Sequence, residues 1–231
     1  MARIVKDPVV RRNEILDVSE RLVATKGYEQ MAIRDIVDEL QIANGTVYHY
    51  FDSKTALLEA LVERMGDQIE QLVLPIVQDR SLGALDKLLR YFATIDHWKR
   101  ERQTLMLAFL HVWYDDENAI VHRKLYRSGV KRYGPWLSQI IQQGVAEGVF
   151  TTAYPDQTAR MIIALRQDLG DAVTDVLRSS PDMPIDPSLI TKMTVATAEA
   201  LERLLGAKAG CVQDLWLEAL SQWRTPSAPS I

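Results

Sequence analysis

Apolar residues recur with helical spacing along almost the whole chain, and this periodicity excludes most other folds. The stretch 32–40 is the clearest case, because Ile33, Ile36, Val37 and Leu40 follow the i, i+3, i+4, i+7 spacing of one helix face. Alternating apolar and polar residues between turn signals, which would indicate strands, are not convincing anywhere. The pattern therefore predicts an all-α protein.

Glycine and proline residues separate the helical stretches and give their approximate limits. Helices are expected at residues 8–26, 32–40, 44–51, 53–74, 81–98, 101–115, 117–147, 156–179, 186–206 and 211–224. The early helices are short and the later ones long, which predicts a three-helix domain followed by a larger antiparallel helical bundle. We expect domains at residues 1–54 and 55–225, with residues 226–231 as a frayed tail.

The composition favours a cytoplasmic protein with a full core. The chain has 231 residues, and no run approaches the 18 consecutive apolar residues that would indicate a transmembrane helix. The N-terminus lacks the apolar segment and cleavage site of a signal peptide. The single cysteine, Cys211, cannot form an internal disulfide.

The charge balance does not by itself indicate nucleic-acid binding. The net charge is −4, and residues 1–54 carry eight Lys and Arg against nine Asp and Glu. Four of the eight cations fall in the first twelve residues, however, and a basic arm can reach phosphates whatever the charge of the body. A DNA-binding function must therefore be argued from the arrangement of residues.

Residues 32–51 have the plan of a helix-turn-helix, in which a striped helix, a tight turn and a second short helix follow one another. Val47 and Phe51, four residues apart, are expected to face inward. Base contacts are expected from Asn44, Thr46 and His49, and phosphate contacts from the N-terminal arm, Arg34, Tyr48 and Lys54. Tyr50 completes the predicted DNA-binding face, although it could also lie partly inward. Gly45 is a poor helix former, so its presence indicates close approach of a partner.

The run Gly45-Thr46-Val47-Tyr48-His49-Tyr50-Phe51-Asp52-Ser53-Lys54, together with Ile33–Val37 and Gly27-Tyr28, resembles the DNA-binding domain of TetR-type (TetR/AcrR) transcriptional regulators. A weaker similarity to the ligand-binding domain of that family covers Leu137–Ile141, Gly148–Phe150 and Thr158-Ala159. The resemblance implies a homodimer that binds a palindromic operator. It also implies that a small molecule in the C-terminal domain releases the DNA.

Three positions depart from the usual pattern of that family. A hydroxyl residue usually caps the second helix, where this chain has Met31-Ala32; glycine is frequent in the turn, where it has Gln41; and serine often starts the recognition helix, where it has Ala43. Loss of a Ser or Thr cap costs on the order of 1 kcal/mol. Asn44 is an alternative cap, which would shift the helix start by one residue.

A bundle of this kind could bind an apolar or amphipathic effector between its helices. Candidate lining residues are Phe92, Met106, Phe109, Trp113, Trp136 and Arg166, although aromatic residues at helical spacing are more often core. Arg166 could bind an anionic ligand, or it could pair with Asp168 or Asp171 across a dimer. The sequence does not decide between these two roles.

Other functions find little support. His97, His111 and His122 have no HxxxH spacing, so we expect no metal site; no cofactor motif or catalytic constellation stands out, so we expect no cofactor and no enzyme activity. Residues 211–224 are amphipathic but carry little positive charge, which favours packing on the bundle or partner over a membrane surface.

Two alternatives to a ligand-responsive repressor remain at this point. The same DNA-binding domain could serve an activator or a ligand-independent regulator, because the difference lies in operator position and effector coupling. A helical enzyme or interaction bundle that retains a decayed helix-turn-helix is the more distant alternative.

Overall fold

The computed structural model describes residues 7–113, 119–178, 187–214, 216 and 217, and regular secondary structure within them is helical. The helices are α1 (Pro8–Lys26), α2 (Ile33–Leu40), α3 (Asn44–Tyr50), α4 (Lys54–Gln78), α5 (Ala84–Glu101), α6 (Gln103–Trp113), α7 (Ala119–Ala146), α8 (Pro155–Arg178) and α9 (Pro187–Leu205). The prediction of an all-α chain is confirmed. A membrane-crossing helix, long and apolar enough for a bilayer, is absent from these described residues.

The helices separate into two compact units. The first contains Met1–Glu70 and Glu101–Arg127, and the second contains Gln71–Arg100 and Ser128–Ile231. The long helices α4 and α7 therefore each contribute residues to both units. The predicted tail, most of the predicted helix 211–224, and Arg3 and Lys6 of the N-terminal arm lie outside the described residues.

In the first unit, α1 begins and ends where its capping residues place it. The Asp7 carboxylate accepts a hydrogen bond from the Val9 N–H at 2.8 Å, and Pro8 occupies the first turn, where a missing N–H costs nothing. Gly27 ends the helix with φ of 81°, a value that favours glycine. The sequence predicted this helix correctly because both of its termini carry local signals.

Contacts between α1 and α4 combine apolar burial with an arginine at their surface. Ile15, Leu57 and Leu61 are at most 1% exposed. Arg64 of α4 donates to the Asp17 carboxylate at 2.5 Å and to the Leu16 carbonyl oxygen at 3.2 Å, and it also contacts the Glu20 carboxylate. Helix α1 thus carries three acceptors for one guanidinium, a contact between residues more than 40 positions apart that no local signal in the sequence indicates.

The turn between α2 and α3 depends on one residue in the left-handed region. Gln41 has φ of 52° and ψ of 46°, and its side-chain amide donates to the Asp38 carbonyl oxygen at 2.5 Å. Glycine adopts this conformation without steric cost, whereas a residue with a β-carbon does not. The expectation that glycine suits this turn therefore has a physical basis in the backbone of this chain.

Helix α4 was expected to end near Pro75 but continues to Gln78, so that expectation was wrong. Proline inside a helix removes one backbone hydrogen bond and crowds the preceding turn. Val73 and Val77, on either side of Pro75, are 0% and 2% exposed. Their burial offsets the local cost and keeps the chain helical through the proline.

In the second unit, the end of α7 packs against the loop that follows it. Gly148 has φ of 75°, and the N–H groups of Val149 and Phe150 both donate to the Gly144 carbonyl oxygen, at 2.9 and 3.0 Å. This turn folds the Phe150 side chain, 2% exposed, back onto Gly144. A β-carbon at Gly144 would overlap the ring of Phe150, so this position needs glycine.

We expect Gly144→Ala to lower the free energy of unfolding by about 1–3 kcal/mol, because the added methyl group forces the Phe150 ring out of place. Gly134→Ala on the same helix is the matched control, since a β-carbon there meets no atom within 4 Å and alanine is the better helix former. Chemical denaturation of both variants measures the difference. Equal stability of the two variants would contradict the packing described.

We expect Gln41→Gly to be more stable than Gln41→Ala by about 1 kcal/mol. Both changes remove the side-chain hydrogen bond to Asp38, so their difference isolates the backbone strain at φ of 52°. Urea denaturation of the two purified proteins measures this difference. Alanine equal to glycine at this position would show that the turn is not left-handed in solution.

Candidate nucleic-acid interface

Helix α3 presents one buried and one open face. Val47 is 0% and Phe51 4% exposed, as expected for the inward residues of a recognition helix. Tyr48, in contrast, is 46% exposed. Of the other predicted contact residues, Asn44, Gly45 and His49 are exposed, and Thr46 and Tyr50 are half-buried. One side of the helix therefore offers amide, hydroxyl and imidazole groups to a partner.

Helices α2 and α3 both begin without a side-chain cap. Ala43 is the N-cap residue of α3, and its carbonyl oxygen accepts the Thr46 N–H at 2.8 Å. Asn44 is the first helical residue, so the alternative in which it serves as the cap is not what the structure shows. In α2, the Asp35 carboxylate instead accepts the Ala32 N–H at 2.9 Å, reaching back from the first turn.

Asp35 also links α2 to the end of α1. Lys26 Nζ lies 2.8 Å from its carboxylate. The hydrogen bond from Lys26, with that from the Ala32 N–H, lowers the pKa of Asp35. This carboxylate thus replaces part of the missing cap and keeps α2 in register with α1.

Gly45 has no structural reason to be glycine within this chain. A β-carbon at this position would meet no atom within 4 Å, and the residue does not have a positive φ. Alanine would be the better helix former here by up to about 1 kcal/mol. Neither packing nor backbone conformation requires the missing side chain, which leaves close approach of an external partner as its explanation.

The predicted phosphate-binding cations differ in how they are held. Lys54 Nζ donates to the Glu29 carbonyl oxygen at 3.1 Å and lies 4.4 Å from the centre of the Tyr28 ring. The Arg34 side chain is 82% exposed and makes only a long contact of 3.4 Å with Asp38. Lys54 is therefore fixed beside the helix-turn-helix, whereas Arg34 extends into solvent.

Sequence reasoning missed two cation–aromatic contacts around α3. The Arg12 guanidinium lies 5.2 Å from the centre of the Phe51 ring, and Lys54 lies over Tyr28. Burial of the Tyr28 side chain raises the pKa of its phenol. These contacts join residues 26 or more positions apart, so helical periodicity gives no sign of them.

In the second unit, two of the predicted effector-binding residues touch. The Arg166 guanidinium lies 5.0 Å from the centre of the Phe92 ring, and its described ion pair is with Asp96, at 2.6 Å, and not with Asp168 or Asp171. Trp136 packs edge-on against Tyr133, with ring centres 6.2 Å apart.

The other three predicted effector residues give no common site. Met106 and Phe109 belong to the first unit, and the Trp113 side chain lies outside the described residues. Sequence reasoning missed Asp96 and Trp216, which contact Arg166 from positions 70 and 50 residues away. The side chains of His111 and His122 also lie outside the described residues.

Two family models match the chain. Residues 15–61 match the model described as bacterial regulatory proteins, tetR family, and residues 113–173 match a tetracyclin repressor-like C-terminal domain. The first match contains all of α2 and α3, so it falls on the helices whose open face is described above.

Individual relatives agree with these matches. The repressor KstR2 of Mycolicibacterium smegmatis is 27% identical over 151 residues, which cover 62% of this chain and 69% of that one. KstR2 of Rhodococcus jostii is 36% identical over 59 residues, only 26% of this chain and 29% of that one. The structure of a transcriptional regulator from Saccharomonospora viridis in complex with choline covers 93% of this chain and 95% of that one, with 21% identity and a TM-score of 0.53.

The family matches at both ends of the chain, the relatives and the helix-turn-helix geometry lead to one conclusion. The chain is a regulator and not an enzyme. It belongs to the TetR family of bacterial transcriptional regulators and binds DNA through the helix-turn-helix formed by α2 and α3.

Proposed function

We propose that the protein is a homodimeric repressor that binds a palindromic operator and is released by a small-molecule effector. The open face of α3, with its apolar residues buried and Tyr48 exposed, is the observation on which this proposal depends. In a dimer, two such helices enter successive major grooves on one side of the duplex, with half-sites about 34 Å apart. The names of the KstR2 relatives, which are repressors, support the sign of the regulation.

Individual residues have distinct roles in this proposal. Asn44, Thr46 and His49 read base edges, and Gly45 allows the backbone to approach the duplex. Phosphate contacts come from the N-terminal arm and from Arg34, Tyr48, Tyr50 and Lys54. DNA contacts fall within residues 1–54, and effector binding and dimerisation within residues 55–225.

Effector binding in the second domain requires a difference in affinity between two dimer states. The effector must prefer a dimer whose α3 helices are spaced wrongly for the operator. Helix α4 contributes residues to both units and is the element through which this preference reaches the helix-turn-helix. The choline complex of the Saccharomonospora viridis protein supports the binding of small molecules by proteins of this fold.

A gel shift with the DNA that flanks the gene tests the proposal as a whole. Affinity should fall steeply with rising salt, because a chain of net charge −4 binds DNA only through locally placed phosphate contacts. Sedimentation of the free protein should give a dimer, and deletion of the gene should raise transcription of its target. A monomer at working concentration, or reduced transcription after deletion, would contradict the dimeric repressor.

Tyr48→Ala should weaken operator binding about tenfold or more and should do so with little change in base preference, because the hydroxyl group is assigned to a phosphate. Fluorescence anisotropy with the operator and with single-base variants measures both effects. Tyr154→Ala is the matched control, since Tyr154 is 70% exposed in the second unit. Unchanged affinity in a folded, dimeric Tyr48→Ala protein would remove Tyr48 from the interface.

Gly45→Ala should raise the free energy of unfolding by up to about 1 kcal/mol and at the same time weaken operator binding about tenfold. The opposite signs follow because the new methyl group meets open space in the free protein but faces the DNA backbone in the complex. Thermal unfolding and anisotropy on one preparation measure the two effects. Gly134→Ala should raise stability alone; an equal loss of affinity in that control would show that the effect is not local to α3.

A further inference from the structure

The second unit contains a charged cluster of five residues: Phe92, Asp96, Lys99, Arg166 and Trp216. Arg166 lies 5.0 Å from the centre of the Phe92 ring and 4.7 Å from that of Trp216, and it donates to the Asp96 carboxylate at 2.6 Å. The side chains of Arg166 and Asp96 are 19% and 18% exposed. The guanidinium is therefore enclosed by rings but retains some access to solvent.

The aromatic part of this Arg166 cluster is held firmly. The rings of Phe92 and Trp216 meet edge to face at 5.8 Å, and they are 5% and 3% exposed. Trp216 is positioned by the buried Glu202 carboxylate, which accepts the N–H groups of Gly210 and Val212 at 2.8 Å each. Arg166 is thus pre-oriented, and its described hydrogen bond uses one of its five N–H donors.

The charges of the Arg166 cluster do not balance. Asp96 carries one negative charge, whereas Lys99 and Arg166 carry one positive charge each, which leaves an excess of one. Lys99 lies three residues after Asp96 on α5, close enough for both Asp96 and Arg166 to affect its ammonium group. An uncompensated charge among buried rings is costly unless an anion pairs with it.

Lys99 combines two properties that rarely occur together. Its side chain is exposed to solvent, yet the pKa of its ammonium group is lowered, first by desolvation and then by Arg166, against the opposing effect of Asp96. A side chain has both properties when it lines a concave surface, where solvent reaches it but protein atoms surround it. The ammonium group therefore lines a recess beside the guanidinium.

A monocarboxylate matches this arrangement better than other anions. It neutralises an excess of one charge, whereas a phosphate dianion would reverse it, and its two oxygens suit the planar donors of arginine. The neighbouring Phe92 and Trp216 rings favour a ligand with an apolar body.

We propose that the effector is an organic monocarboxylate with an apolar body, whose carboxylate binds between Lys99 and the free N–H groups of Arg166. This assignment rests on the proposed function for its regulatory meaning, but binding itself can be measured without DNA. It extends the earlier expectation of an apolar or amphipathic effector by giving the ligand a charge and the chain two residues that recognise it.

The first experiment compares acids with their neutral amides on the full-length protein. Hexanoate and 3-phenylpropionate are the probes, with hexanamide and 3-phenylpropionamide as uncharged partners and acetate as an acid without an apolar body. Calorimetric titration and thermal melting should show binding of the two acids at least about tenfold tighter than that of the amides or acetate. Amides that bind as tightly as the acids, or no binding of either acid at millimolar concentration, would overturn the proposal.

The second experiment tests Lys99 and Arg166 directly. Lys99→Gln should weaken binding of 3-phenylpropionate about tenfold and leave binding of its amide unchanged, whereas Lys131→Gln, which removes an exposed charge from α7, should change neither. Arg166→Lys keeps the charge but loses the planar donors, and it should also weaken acid binding. Unchanged acid affinity in a folded Lys99→Gln protein would overturn the assignment.

Operator binding separates failure of this inference from failure of the proposed function. Acid-selective binding that is lost in Lys99→Gln supports the carboxylate site even if the acids do not release DNA in a gel shift; in that case effector-controlled release is wrong. DNA binding that is insensitive to every acid-binding variant, together with equal binding of acids and amides, would instead overturn the site and leave the DNA-binding function intact.

Discussion

Burial of Val47 and Phe51 is the contact on which the DNA-binding surface depends. A helix of seven residues is too short to be stable alone, and α3 also lacks a side-chain cap. The core of the first unit therefore supplies the energy that forms this helix and sets the direction of its open face. Arg12 and Lys54 add cation–aromatic contacts on Phe51 and Tyr28, next to the same core. Position and exposure of the contact residues are consequences of packing rather than of helix propensity.

The same unit shows how a chain with net negative charge can bind DNA. Most of its described cations pair with carboxylates of the chain itself, in the pairs Arg11–Glu14, Arg21–Glu39, Lys26–Asp35 and Arg64–Asp17. These carboxylates balance the formal charge but are used in holding helices together. Arg34, with its side chain 82% exposed, remains available to phosphate, so net charge is a poor guide to function in this domain.

The second unit uses charge differently. Its Arg166 is enclosed by two rings and one carboxylate, and Glu202 holds the segment that carries one of those rings. Lys87, 5% exposed, donates to the Val77 carbonyl oxygen at 2.8 Å and so has an internal partner. The excess charge at Lys99 and Arg166 differs from this pattern, because its one described carboxylate cannot neutralise two cations. That imbalance, and not the number of aromatic residues, distinguishes a recognition site from an ordinary core.

Sequence alone determined the helical class, the limits of α1 to α3, and the inward and outward faces of α3, because periodicity, caps and glycine act over a few residues. It also indicated that the turn at Gln41 suits glycine, which the left-handed backbone explains. Tertiary structure alone decided that α4 continues through Pro75, that Arg64 binds α1, and that Arg166 meets Asp96 and Trp216. These contacts join residues 40 or more positions apart, or depend on burial that outweighs a local preference, and no local pattern encodes either effect.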